Sequence, residues 1–203
     1  MKKTIVGLVG FIGSGKGTVS SYLKDTYNFQ NLSFAKTLKD AVANIFHWPR
    51  NLLEGDTSES RQWREEIDIW WANRLDIPHL TPRWVLQNLG TNVIRKEFHD
   101  DMWIASLERS LLDLEGNYVI SDLRFPNEIK MLKNQNSKIW WIQRGDLPVW
   151  YNTAYYDKNQ MSLKFPTVHE SEYAWINQAR YTVIINNGTL EDLHAQVDTC
   201  LKL

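Results

Sequence analysis

Gly10-Phe11-Ile12-Gly13-Ser14-Gly15-Lys16-Gly17-Thr18 is the stretch on which the fold turns. An almost unbroken apolar run, Thr4-Ile5-Val6-Gly7-Leu8-Val9, precedes it and reads as a strand buried on both faces. Val19, Tyr22 and Leu23 follow at helical spacing. Strand, glycine-rich turn and helix in that order form a phosphate-binding loop, because turn amides and a helix N-terminus then converge on one anion. The glycines let backbone approach phosphate oxygens, and Lys16 brings a mobile cation to the β- and γ-phosphates. The strict pattern has Ser or Thr directly after the lysine, where a hydroxyl holds Mg²⁺. Here that position is Gly17, and the hydroxyl comes one later, at Thr18.

Working outward, hydrophobic runs alternate with helical patterns. Strands are expected at Phe29 to Ser33, Tyr118 to Asp122, Lys138 to Ile142 and Tyr181 to Ile185, and a final helix carries Leu190, Leu193, Val197 and Leu201 on one face. That alternation predicts an α/β fold of the P-loop NTPase type, with a parallel five-stranded sheet covered by helices on both faces. The 203 residues, 43% apolar, are expected to form one domain over 1–203. Two stretches depart from the pattern. His47 to Pro82, punctuated by prolines, reads as a small insertion, with a helix over Glu59 to Leu75 bearing Trp63, Ile67, Trp70, Trp71 and Arg74 in a stripe. Asp146 to Val168, rich in Tyr, Asn and Pro without clear period, reads as a lid or mobile loop. Between them, Thr81-Pro82 starts a helix through Leu89 that Gly90-Thr91 is expected to interrupt.

The net charge of −1 excludes the broad basic field that duplex nucleic acid or an anionic membrane requires. The lone Cys200 can form no intramolecular disulfide, and no apolar run approaches the ~18 residues of a membrane span. A reducing cytoplasm is therefore expected. Ten tryptophans are many for this length; packing is their first use, and nucleobase stacking would need only one or two. Lys39 and Arg83 stand near helix starts, where a cation opposes the dipole. Lys39 is thus either solvated or facing an anion, and Arg83 is a candidate phosphate ligand. Asp122 and Arg124 follow a strand's carboxyl end, pointing to the same crevice as the loop.

Several stretches match one family. The loop with its Gly-Lys-Gly-Thr ending, Leu38-Lys39-Asp40-Ala41, Leu86-Gln87-Asn88-Leu89-Gly90-Thr91, Trp103, Asp122-x-Arg124-x-x-x-Glu128, His169-x-x-Glu172 and Asn187-Gly188-Thr189-Leu190-Glu191 resemble the phage-type deoxynucleoside monophosphate kinases. These are relatives of the adenylate and dephospho-coenzyme A kinases. The resemblance covers most of the chain and implies transfer of a phosphoryl group from ATP to a deoxynucleoside monophosphate. It implies ATP at Gly13, Ser14, Gly15, Lys16, Gly17 and Thr18, joined by Arg144, Asn187 and Gly188. The monophosphate would lie among Leu38, Lys39, Arg83, Gly90, Thr91, Trp103, Arg124, Glu128, His169 and Glu172, with Trp103 as a wall beside the sugar. Lys16, Arg83, Arg124 and Asp122 would be the catalytic set. Mg²⁺ would arrive with ATP, held mainly through water and phosphates; Asp122 would orient it or position Arg124. His169 is expected to be structural or to touch the sugar. The expected partners are the two nucleotides, with a second copy of the chain as a further candidate and no nucleic acid or membrane; a phage-encoded chain would work in the host cytoplasm. Alternatives are a kinase resembling the dephospho-coenzyme A enzymes, with Asp122 as base, and a non-catalytic nucleotide-gated module.

Overall fold

The computed structural model describes residues 3–202. In order it contains β1 (Thr4–Val9), α1 (Lys16–Tyr27), β2 (Gln30–Leu32), α2 (Lys36–Phe46), α3 (Ser58–Trp63), α4 (Ile69–Leu75), α5 (Pro82–Gln87), a π-helix (Asn88–Phe98) and α6 (Met102–Leu112). There follow β3 (Asn117–Ile120), α7 (Pro126–Asn134), β4 (Lys138–Gln143), α8 (Tyr151–Tyr156), a 3-10 turn (Lys158–Gln160), α9 (Met161–Lys164), α10 (Glu170–Tyr173), β5 (Thr182–Ile185) and α11 (Leu190–Lys202). Two compact units result. The sheet unit takes the chain up to Ser33 and again from Leu111; the helical unit is Phe34–Ser110, a wider stretch than the one its prolines mark out.

In the sheet unit all five strands are parallel, in the order β2-β3-β1-β4-β5. β1 lies in the middle, paired with β3 through Val6 and Val119 and with β4 through Leu8 and Trp140. Five of its six residues are buried, which is why its sequence is apolar without alternation. Val6, Leu8, Trp140, Ile142 and Ile184 pack against Val19 and Leu23 of α1 and Leu193 and Val197 of α11. Because every strand runs the same way, the loops after β1, β2, β3, β4 and β5 all leave from one edge of the sheet.

The segment expected to be an irregular lid is largely helical. Tyr151, Ala154 and Tyr155 recur at helical spacing; Ala154 and Met161 are fully buried, and Trp141 stacks on Tyr151 at 5.8 Å. Phe11, inside the phosphate loop, meets Trp150 and Trp175 edge-on or tilted at 5.4 and 5.3 Å. Aromatic packing supplies the order here that alternation and period did not reveal.

The helical unit has its own core of Val42, Trp48, Leu53, Ala72, Leu80 and Val85, joined by Phe46, Trp63 and Trp71. Two expectations fail in it. The helix over Glu59 to Leu75 is broken into α3 and α4, because Asp68 caps α4 by accepting the Trp71 amide and also accepts the Trp48 indole N–H at 2.7 Å. Trp70 of the expected stripe is left 63% exposed. Nor does Gly90 interrupt the helix that Thr81 caps: the chain passes directly from α5 into the π-helix. A side chain at Gly90 would overlap Leu38, so glycine serves close packing at that point.

Candidate active site

The phosphate loop is set by the end of β1 and the start of α1. Gly15, at the helix N-cap, has φ +101°, and a Cβ there would overlap the Asn186 amide. Only glycine fits both conditions. Asn186 follows β5 and donates through Nδ2 to the Ser14 carbonyl at 2.9 Å, tying the loop across the sheet edge. Ser14 is buried. Gly17 and Thr18 are exposed in the first turn of α1.

Lys16 is folded back on its own loop, donating through Nζ to the carbonyls of Gly10 at 2.7 Å and Phe11 at 2.9 Å. Its pKa is lowered from 10.5 to about 8, mainly by burial and next by the charge of Arg124, with Glu172 partly offsetting the fall. Lys16 and Arg124 therefore share one electrostatic environment, with Glu172 beside them.

Arg124 lies between β3 and α7, directly before Phe125, the N-cap of α7. Its position is fixed at both ends. The backbone N–H donates to Glu128 Oε2 at 2.7 Å, and the guanidinium donates to Glu172 Oε1 at 2.7 Å and Ser171 Oγ at 3.3 Å. Glu128, 3% exposed, also accepts the Phe125 amide at 3.0 Å, so its carboxylate binds backbone at the start of α7. His169 is the N-cap of α10: its Nδ1 accepts the Ser171 amide at 3.2 Å and lies 2.9 Å from Ser171 Oγ. Glu172, one turn on, is thereby aimed at Arg124.

Asp122, two residues beyond β3, accepts from Ser33 Oγ at 2.6 Å. Arg144 is exposed after β4. Asn187 accepts the Gly145 amide at 2.7 Å and Gly188 abuts Asp192, so these two shape turns at the sheet edge. The neighbouring Asn186, which holds the loop, was not picked out from sequence; its signal is its place immediately after the last apolar strand. Among the described residues there is no cluster of three or more His, Cys, Asp or Glu that could hold a metal by itself. The hard oxygens of Asp122 and Thr18 suit Mg²⁺ as partial ligands to an ion that phosphates also bind.

The remaining predicted residues belong to the helical unit. Lys39 is paired with a carboxylate of the same unit, its Nζ 2.5 Å from Glu54 Oε2. Arg83, half exposed, is 2.5 Å from Glu65 Oε1. Leu38 packs against Gly90, and Thr91 is exposed. Trp103 is only 8% exposed and its indole N–H donates to the Gly90 carbonyl at 3.0 Å, so it anchors the π-helix from the buried side.

No family model matches the chain. A protein of Acanthamoeba polyphaga mimivirus, described as a candidate deoxynucleotide monophosphate kinase, is 27% identical over 97% of this chain and 95% of its own length. The deoxynucleoside-5′-monophosphate kinase of Escherichia phage T5 is 27% identical over 65% of this chain and 72% of its own. The shikimate kinase structure from Aquifex aeolicus aligns with 98% of this chain and 96% of its own at 11% identity, with a TM-score of 0.43. The fold rests on the strand order and the loop rather than on that likeness. No helix among the described residues is long and apolar enough to cross a membrane. A phosphate loop with its lysine after the central strand of a parallel sheet, in a chain similar over 97% of its length to one protein with a kinase name and over 65% to another, makes this protein a P-loop phosphotransferase.

Proposed function

We propose that the chain transfers the γ-phosphoryl group of ATP to a deoxynucleoside monophosphate, yielding ADP and a deoxynucleoside diphosphate for DNA synthesis. The reading is carried by Lys16 and Arg124, two cations in one electrostatic environment of the sheet unit, in a chain whose relatives bear names of that activity. An acceptor phosphate dianion is already a competent nucleophile, so no general base is required and catalysis reduces to alignment and charge neutralisation. Lys16 leaves the Gly10 and Phe11 carbonyls for the donor phosphates, while the loop amides hold them. Arg124, oriented by Glu172 and Glu128, binds the transferring group, and Arg83 of the helical unit binds the acceptor phosphate. Mg²⁺ bound with ATP would be held by its phosphates with Asp122 and Thr18 and would neutralise charge on them.

The test is ADP release measured against each deoxy- and ribonucleoside monophosphate, with dephospho-coenzyme A as a further acceptor. Turnover with one or more deoxynucleoside monophosphates is expected. Turnover with dephospho-coenzyme A alone would overturn the reading.

A further inference from the structure

Basic side chains of the helical unit differ in what surrounds them. Lys39 pairs with Glu54, Arg50 with both Asp40 and Glu54, and Arg83 with Glu65. Arg64, at the C-cap of α3, has no such partner: its Nε is buried without a hydrogen bond, and among the described residues its guanidinium forms no ion pair. It lies against Gly55, where φ is +72° and any Cβ would overlap the guanidinium, so a residue without a side chain makes room for it. The Arg83 amide donates to the Arg64 carbonyl at 2.9 Å, which joins the two arginines through their backbones. Burial lowers the Arg64 pKa, the nearby charge of Arg83 lowers it further, and Glu65 and Glu54 only partly offset this.

For packing alone this arrangement is unfavourable. The buried Nε–H of Arg64 without an acceptor costs stability, and the nearby charge of Arg83 adds repulsion. Leucine or methionine would fill the same space without either cost. An anion with several oxygens lying between the two side chains offsets the repulsion, since a guanidinium grips two such oxygens at once through its outer nitrogens. Glu65 offers Arg83 only an exposed pair, which is weak and readily exchanged for a stronger anion. We propose that Arg64 and Arg83 together form a binding site for a phosphate monoester within the helical unit. This rests on the reading above, in which the ligand is the 5′-phosphate of the acceptor, and it gives Arg64 a role in holding that phosphate.

The experiment is equilibrium binding by calorimetry of the four deoxynucleoside monophosphates, the four deoxynucleosides and ATP to the full chain and to Arg64→Met, Arg64→Lys and Arg64→Ala. The monophosphate should bind the native chain more tightly than its nucleoside. Arg64→Met should weaken it about tenfold or more, with nucleoside and ATP affinity unchanged. Arg64→Lys should fall between the two, and added guanidinium ion should restore part of the affinity of Arg64→Ala, which a purely structural role would not allow. Monophosphate affinity within twofold of native in Arg64→Met would overturn the proposal. So would equal native affinity for nucleotide and nucleoside, or a parallel loss of ATP affinity and melting temperature. Arg64-dependent monophosphate binding without ADP release from any acceptor would instead defeat the proposed reaction and leave this site standing.

Discussion

In the sheet unit, Lys16 is held by two carbonyls of its own loop, five and six residues away; in the helical unit, Lys39 and Arg83 are held by carboxylates fifteen and eighteen residues away. Carbonyls carry partial charge, so the Lys16 site keeps its net positive charge, and a triphosphate need only replace two neutral acceptors. Carboxylates cancel the charge they hold. On the proposed reading, an acceptor phosphate at Arg83 would have to displace Glu65. The loop thus keeps its charge uncancelled, whereas in the helical unit Lys39, Arg50 and Arg83 are paired with carboxylates and Arg64 keeps a buried Nε without a hydrogen bond.

Removing the preformed charge should have the largest effect. Lys16→Ala is expected to lower kcat by at least about 10³-fold, since several contacts to the transferring phosphates go with it, while the melting temperature stays near that of the native chain. Turnover within tenfold of native would mean that Lys16 does not meet the donor.

Arg124→Lys keeps a positive charge but loses the fork that spans Glu172 and Ser171. A loss of about 10²-fold in kcat is expected, in line with removing one donor to a transition state. Arg124→Met should in addition raise the pKa of Lys16, because the guanidinium is one of the causes that lower it. A pH profile of ATP binding that is the same in both variants would separate the two residues.

The same pKa fixes a pH dependence. Lys16 is depressed to about 8, so it loses its proton as pH rises through that value, and ATP prefers the charged form. Affinity for ATP should fall about fivefold between pH 8 and pH 9, and binding there should take up protons, measurable by calorimetry in buffers of different ionisation enthalpy. For the ligand-free fold the sign is opposite. Between about 8 and 10.5 the unfolded chain binds more protons at this lysine than the folded one, so its contribution to stability rises with pH.

In the helical unit smaller effects are expected. Trp103→Phe deletes the indole donor to the Gly90 carbonyl and should cost about 1–3 kcal/mol in denaturant unfolding, by leaving a buried acceptor unsatisfied. Its ratio of deoxy to ribo turnover should remain that of the native chain; a changed ratio would return Trp103 to the sugar. Glu65→Gln removes an exposed pair and should alter stability by under about 0.5 kcal/mol. If Glu65 competes with acceptor phosphate, the acceptor KM should fall by about twofold in the same variant. A rise would show that Glu65 helps to hold Arg83 in position.

Legibility in the sequence follows the distance between interacting residues. Loop, β1 and α1 lie within one short stretch, and their chemistry could be read directly from Gly10 to Thr18. The break between α3 and α4 could not, because it depends on Asp68 meeting Trp48, twenty residues back. For the same reason the aromatic packing that makes Tyr151–Tyr156 a helix was hidden, as Phe11, Trp141 and Trp175 come from three other parts of the chain. Glu128 shows a finer case: its presence was read, but its bonds to the Arg124 and Phe125 amides make it part of a helix start.

By itself, then, the sequence determined the phosphate loop, the parallel α/β architecture and the identity of the charged residues near it, because periodicity, glycine chemistry and turn geometry act over a few neighbouring residues. Only the tertiary structure decided which of those charges stay available. A carboxylate neutralises Lys39 at 2.5 Å across fifteen residues, carbonyls hold Lys16 without neutralising it, and Arg64, lying against Gly55, keeps its Nε without a hydrogen bond. Charge pairing falls off with distance in space, not along the chain, so the assignment of partners had to wait for the fold.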